Sequence, residues 1–170
     1  MLSRRGSEMR SSGMTIRRAL PADREALGRL GSMLMHVHYG FDRLRFLHPG
    51  ADAAEGYAEF LSSQLDDDES VVFVAEDEGV VQGYVYAAIE PLSWKELRDR
   101  AGFIHDVAVD ASDRRHGVAS ALLNAALGWF RERKLPRAML WTSPANAPAR
   151  AAFARFGFRE TMIEMTRELD

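Results

Sequence analysis

Cysteine is absent from this 170-residue chain. Its absence excludes disulfides, a thiolate metal site and a cysteine nucleophile. Any acyl transfer here therefore proceeds without a cysteine acyl-enzyme. Long apolar runs are missing as well. The charge-free stretch nearest the central motif, residues 117–130, is amphipathic and falls short of the roughly 20 residues a bilayer span needs. No apolar region stands ahead of an N-terminal cleavage site. Strong net charge is also lacking: the chain carries −3, and because Arg4, Arg5 and Arg10 outnumber Glu8 in the first 13 residues, the remainder is more acidic than the whole. A mildly acidic domain is a poor nucleic-acid binder and suits a cationic, amine-bearing substrate better. The Gly-Lys-Ser/Thr of a P-loop and the three-glycine turn of a dinucleotide fold do not occur. His36 and His38 have metal-ligand character, but two positions apart on a helix they do not share a face. With no third ligand in view, no metal is expected. These absences leave a cytoplasmic protein with no membrane and no nucleic-acid partner as the expectation.

What is present suits one globular domain. Apolar residues make up 46% and charged residues 28% of the chain, enough to bury a real core. Residues 1–13 read as an Arg- and Ser-rich tail and 14–170 as a single domain. Thr15 to Ala19 reads as an edge strand. Pro21 opens a helix with Leu27, Leu30, Leu34 and Val37 at helical spacing. An aromatic connector, His38 to Gly50, leads to a second helix over 51–65, and Asp66 to Glu69 is a solvated turn. Val71 to Ala75 and Val80 to Ile89 form a hairpin about Asp77-Glu78-Gly79, with Gly83 as a bulge or close-approach site. Glu90 to Gly102 is a loop or short helix holding Trp94 and Leu97, and a strand follows over 103–109. A helix then presents Val118, Leu122, Ala126, Leu127 and Phe130 on one face, until Pro136 ends it. Ala138 to Thr142 reads as a buried strand. Asn146 caps a last helix, ended by Gly157, and Arg159 to Leu169 alternates as a final strand. Trp129 and Trp141 read as core or interface residues. The order β-α-α-β-β-β-α-β-α-β predicts a mixed α/β fold: a mostly antiparallel sheet, a late parallel pair, and helices on both faces.

The densest chemistry lies at 104–130. The strand Ile104-His105-Asp106-Val107-Ala108-Val109 runs through a polar turn into Arg114-Arg115-His116-Gly117-Val118-Ala119, where a helix begins. A first helical turn has backbone N–H groups without intrahelical partners and the positive end of the dipole. Gly117 lacks a Cβ and Ala119 is small, so a phosphate approaches the backbone closely, while Arg114 and Arg115 add charge. The ligand expected is a large phosphorylated cofactor.

These residues resemble the GNAT family of acetyl-CoA-dependent N-acetyltransferases. Its cofactor motif, Gln/Arg-x-x-Gly-x-Gly/Ala, is matched by Arg114 to Ala119, after a strand ending Val107-Ala108-Val109. Its later motif is matched by Asn146, the small residues Ala149 and Ala151, Phe153, and Gly157-Phe158. The resemblance covers roughly residues 14 to 170 and is strongest from 104 to 158.

The resemblance implies acetyl-CoA as cosubstrate, its pyrophosphate on the backbone N–H groups of Arg115, His116, Gly117, Val118 and Ala119, with Ser120 just behind. It implies that the pantetheine arm pairs with the backbone of Val107, Ala108 and Val109, where that strand and the Leu140 strand splay. The Val107 N–H then faces the thioester oxygen, and Asn146 hydrogen-bonds the arm. For the residues themselves, Asn146 is equally a helix cap. Asp106 is the first candidate for general base; His105 and Glu90 are the others. Because side chains alternate along a strand, either His105 or Asp106 is expected to face the site. Phe153 stands where the family has a tyrosine acid and cannot donate a proton. It is expected to pack against the arm, leaving Ser143, Tyr84, Tyr86 or water to protonate the thiolate, or the thiolate to leave unassisted.

The acceptor implied is a primary amine, on a small molecule in preference to a protein. Tyr39, Phe41, Asp42 and Phe46, and likewise Trp94 and Glu96, either line its pocket or pack under loops. Two competing readings share the fold: a non-catalytic acyl-CoA sensor, and a transferase for another acyl donor. The apolar last strand makes a homodimer an expectation.

Overall fold

The computed structural model describes residues 13–113 and 117–169. Nearly all of the expected tail, and Arg114, Arg115 and His116 of the motif, lie outside the described residues. The five strands are β1 (Thr15–Arg18), β2 (Ser70–Asp77), β3 (Val80–Glu90), β4 (Ala101–Val109) and β5 (Ala138–Leu140). They lie side by side in chain order. Each pairing is antiparallel except β4 with β5, which is parallel. The helices are α1 (Arg24–Phe41), α2 (Ala53–Ser63), α3 (Val118–Glu132) and α4 (Ala147–Arg155).

The β2–β3 hairpin forms where the sequence placed it. Glu78 (φ 49°) and Gly79 (φ 81°) both occupy the left-handed region, the geometry of a type I′ turn, whose twist matches that of the flanking strands. Gly83 is a close-approach site beside a bulge. The β2–β3 register steps there, and an added Cβ would stand 2.7 Å from the Ala108 carbonyl.

Two cores flank the sheet. On one face Leu27, Leu30 and Leu61 of α1 and α2 cover Val72, Val74, Tyr84, Tyr86 and Ala108. On the other, Val118, Leu122, Ala126, Trp129 and Phe130 of α3 cover Val71, Val85, Ala87 and Ile104, with Phe153 and Phe156 at the margin. The apolar stripe expected on α3 is thus the buried one, and Trp129 belongs to the core. Trp141 does not: it is 69% exposed.

The sequence reading and the structure part company at the end of the chain. Residues 159–169 adopt no strand, and β5 stops at Leu140 rather than Thr142. Alternation gives a segment two distinct faces, but a strand also needs a hydrogen-bonding neighbour. Among the described residues no strand is aligned with 159–169, and Met162, Ile163, Met165 and Leu169 remain 82–90% exposed. Ion pairs from Arg45 to Glu164 and from Arg150 to Glu160 hold the segment.

Helices α1 and α2 meet through glycine. A Cβ added at Gly28 would stand 2.4 Å from the Ala54 carbonyl, and one at Gly31 would stand 2.0 Å from the Tyr57 ring. Gly56, in the same helix pair, has nothing within 4 Å of that position. Gly31→Ala is therefore expected to destabilise by about 1–3 kcal/mol through overpacking. Gly56→Ala is expected to gain roughly 0.5–1 kcal/mol of helix propensity. Urea unfolding of both variants checks the pair; equal shifts would show that the helices do not approach this closely.

Candidate active site

The parallel pairing of β4 with β5 ends at Ile104 opposite Leu140, yet β4 continues to Val109. Beyond Ile104 the two strands part, because the chain after Leu140 leaves the sheet for the turn at Ser143-Pro144-Ala145 and then α4. The splay expected at Val107, Ala108 and Val109 is present, with a β4 edge that β5 does not cover.

At the mouth of this gap β4 is bulged. The β3–β4 register passes from Tyr86 opposite Asp106 to Ala87 opposite Ile104, so His105 is the extra residue. The bulge overturns the expectation that only one of His105 and Asp106 faces the site, since two-residue alternation fails where one residue has no partner. Both side chains meet the α1/α2 face. The His105 ring is stacked between Tyr86 and Phe103, with centroids 5.0 and 4.7 Å away. Asp106 Oδ2 accepts hydrogen bonds from Tyr57 Oη at 2.7 Å and Tyr84 Oη at 3.1 Å. Tyr57 enters from α2, seated on the bare backbone of Gly31, and sequence reasoning missed it. The one available signal was the Gly28-x-x-Gly31 spacing on a helix.

Burial pushes the Asp106 carboxyl above the ordinary carboxylate range. The Tyr57 and Tyr84 hydroxyls pull it back, as do, more weakly, His105 and His38. Both phenols are themselves pushed up, first by burial and then by the Asp106 charge. They stay protonated at neutral pH and hold the carboxylate in place. A phenol raised in this way is a poor acid toward a thiolate, which favours a positioning role for Tyr84.

The other candidates are placed as follows. His105 Nε2 lies 3.1 Å from Glu90 Oε1, and Arg98 lies 3.7 Å from the same carboxylate. Tyr86 Oη donates to Gln64 Oε1 at 3.0 Å. Ser143 Oγ accepts from the Ala145 N–H at 3.2 Å within its own turn. Asn146 caps α4, accepting from the Ala149 N–H at 3.3 Å. Phe153 packs on the α3-side core, its ring 6.0 Å from that of Phe158. Asp42 accepts the N–H groups of Leu44 and Arg45, a local turn, while Trp94 is 84% exposed and Glu96 pairs with Arg98. His36 and His38 each place Nδ1 on a helix carbonyl, that of Ser32 and that of Leu34. No helix among the described residues is long and apolar enough to cross a membrane.

A family model, described as the acetyltransferase (GNAT) family, matches residues 38–158. The chain belongs to the GNAT family. An uncharacterized N-acetyltransferase of Methanocaldococcus jannaschii is 31% identical over 127 residues, 75% of this chain and 54% of that protein. The chain thus spans about half the length of this archaeal relative. An uncharacterized N-acetyltransferase of Bacillus subtilis is 27% identical over 149 residues, covering 86% of this chain and 91% of the relative. Among solved structures, an aminoglycoside N-acetyltransferase in complex with CoA superposes with a TM-score of 0.73 at 24% identity, over 99% of both chains. That last likeness is one of fold.

GNAT enzymes take their acetyl group from acetyl-CoA, and the described residues of this GNAT domain fit that donor. Gly117 opens α3 at φ 81°, and among the described residues no side chain caps the helix end and nothing lies within 4 Å of where its Cβ would be. Ala119 and Ser120 in the same first turn are exposed. The first-turn N–H groups of a helix have no intrahelical partners and suit a pyrophosphate.

Tyr57→Phe tests the support of Asp106. A hydrogen bond to the charged form lowers a pKa, so losing one raises it. A base must be ionised to accept a proton, so if Asp106 serves as one, activity rises with pH through its pKa. The acidic limb of the kcat/KM profile is expected to move to higher pH in this variant, with the fold intact by circular dichroism. An unmoved limb would show that Tyr57 does not bear on the base.

Proposed function

We propose that this GNAT domain acetylates a primary amine, that of a small molecule, by direct attack in a ternary complex, with Asp106 as general base. One observation carries the reading. A partly buried carboxylate stands at the splay of β4 and β5, oriented by two phenols through one oxygen. The other oxygen, Oδ1, is left for an ammonium or for a water that bridges to it.

The amines of interest are protonated at neutral pH and must lose a proton before they attack. A carboxylate pushed upward by burial attracts the cation and is a stronger base than an exposed one. Asp106 receives the proton. Acetyl-CoA supplies an activated thioester, to whose carbonyl carbon the amine nitrogen bonds as the C–S bond breaks. The Val107 N–H is assigned to the developing oxyanion. The nitrogen sheds its surplus proton as the amide forms, and a water relays that proton to the departing coenzyme A thiolate, since Phe153 offers none. The amides from residue 115 to 120, the backbone at Val107, Ala108 and Val109, and the side chains of Asn146 and Phe153 are assigned to the coenzyme. A small acceptor agrees with relatives named for small-molecule amines, such as the aminoglycoside N(6′)-acetyltransferase of Klebsiella aerogenes. The exposed apolar side chains of 159–169 support self-association as a homodimer.

The test is thiol release from acetyl-CoA across a panel of small amines and amine-bearing peptides. Turnover of small amines is expected. Tight coenzyme binding with no turnover on any amine would instead mark an acyl-CoA sensor, and turnover confined to peptides would remove the small-molecule acceptor.

A further inference from the structure

Beside Asp106 runs a continuous ladder of rings. Trp141 meets Phe103 edge-on at 5.2 Å. Phe103 stacks on His105, and His105 stacks on Tyr86. Tyr86 meets Phe60 edge-on at 5.6 Å, and Phe60 meets Tyr57, whose hydroxyl holds Asp106, at 5.9 Å. The middle is fixed, with Phe103 and Tyr86 buried. The two ends are open, with Trp141 69% and Phe60 44% exposed. Large rings exposed at both ends of a rigid aromatic strip form an apolar binding surface, not solvated decoration.

Charge narrows the occupant. Glu90, beside the His105 ring of the ladder, is matched by Arg98. No lysine or arginine among the described residues hydrogen-bonds or ion-pairs with Asp106. The site therefore offers one unmatched negative charge next to aromatic faces. It complements one ammonium carried on an apolar body.

Resting on the acetyl-transfer reading, we infer that the acceptor is a monoammonium amine with an aromatic or comparably apolar body, an arylalkylamine in chemical class. Its ammonium lies at Asp106 and its body lies along the Phe60–Tyr86–His105–Phe103–Trp141 ladder. Ring contacts and a nearby cation both favour this pose.

Three acceptors of graded character test it: 2-phenylethylamine, ethanolamine and neamine. The wild-type kcat/KM for 2-phenylethylamine is expected to exceed both others by about tenfold or more, the scale at which an apolar pocket discriminates. Phe60→Ala and Trp141→Ala, both at exposed positions, are expected to shrink the 2-phenylethylamine to ethanolamine ratio by roughly threefold or more, through KM. Neamine turned over as well as 2-phenylethylamine, or a ratio unmoved in both variants, would overturn the inference and leave the transfer reading standing. Thiol release from none of the three would count against transfer to them. Calorimetry then decides the inference alone: heat from 2-phenylethylamine that both variants lose upholds it, and no heat in the wild type overturns it.

Discussion

Asp106→Asn is expected to lower kcat/KM for the acceptor amine by about 10²–10⁴-fold, the range a positioned general base supplies. The coenzyme's affinity should stay within about twofold, an order-of-magnitude expectation for a site whose phosphate contacts lie elsewhere. The substitution is close to isosteric. The carbonyl of the new carboxamide can still accept from Tyr57 and Tyr84, so geometry is kept while the negative charge and the proton acceptor are lost. Stability should move the other way. The folded-state pKa of Asp106 is raised, so the native state binds a proton more readily than the unfolded one. That costs stability as pH climbs from the unfolded pKa through the folded one, and the cost is complete above it. At neutral pH the amide removes the cost, and Tm should rise. Retained turnover would remove Asp106 as base. Lost turnover with a lowered Tm would make it a structural carboxylate.

The rise in Tm would also explain why the carboxylate is a functional candidate at all. A buried, unmatched charge is expensive, and a fold free to optimise stability would place a neutral residue there. Tyr57 and Tyr84 offset part of that expense and fix the orientation. They stand 49 and 22 residues from Asp106 along the chain.

That separation marks the boundary of what the sequence discloses. Local signals were legible: the Glu78-Gly79 turn, the stripe on α3, the Asn146 cap, the left-handed Gly157, and the order of elements up to α4. Each depends on neighbours a few residues away. The bulge at His105 was not legible, because an extra residue has no side-chain signature and exists only relative to the partner strand. Missing it led to assigning His105 and Asp106 to opposite faces. Tyr57 was invisible for a related reason: its role depends on Gly31, which lets α2 sit close enough to reach the sheet. The final strand failed in the opposite direction. Its alternation is real, but pairing needs a partner that this chain does not place beside it. Asp106 was singled out by its place in the splayed part of the motif strand, which says where a base would be useful but not what orients it.

Gly117→Val should weaken acetyl-CoA binding by roughly 10²–10⁴-fold while the protein still folds. Losing two charge-assisted hydrogen bonds to a diphosphate, at about 1.5–3 kcal/mol each, gives that range. Gly117 is left-handed, so valine there is strained, at a cost of about 1–2 kcal/mol. Among the described residues the new side chain meets no atom within 4 Å of the Cβ position. It would instead stand at the first turn of α3, the position assigned to the diphosphate. Strain and obstruction are separated by Gly79→Val in the β2–β3 turn, where φ is also 81° and the Cβ position is also empty. That variant should lose comparable stability and keep full affinity. Calorimetric titration of acetyl-CoA into both variants decides the matter. If both bind alike, the amides around Gly117 do not hold the diphosphate, and the coenzyme must enter the gap between β4 and β5 from another side.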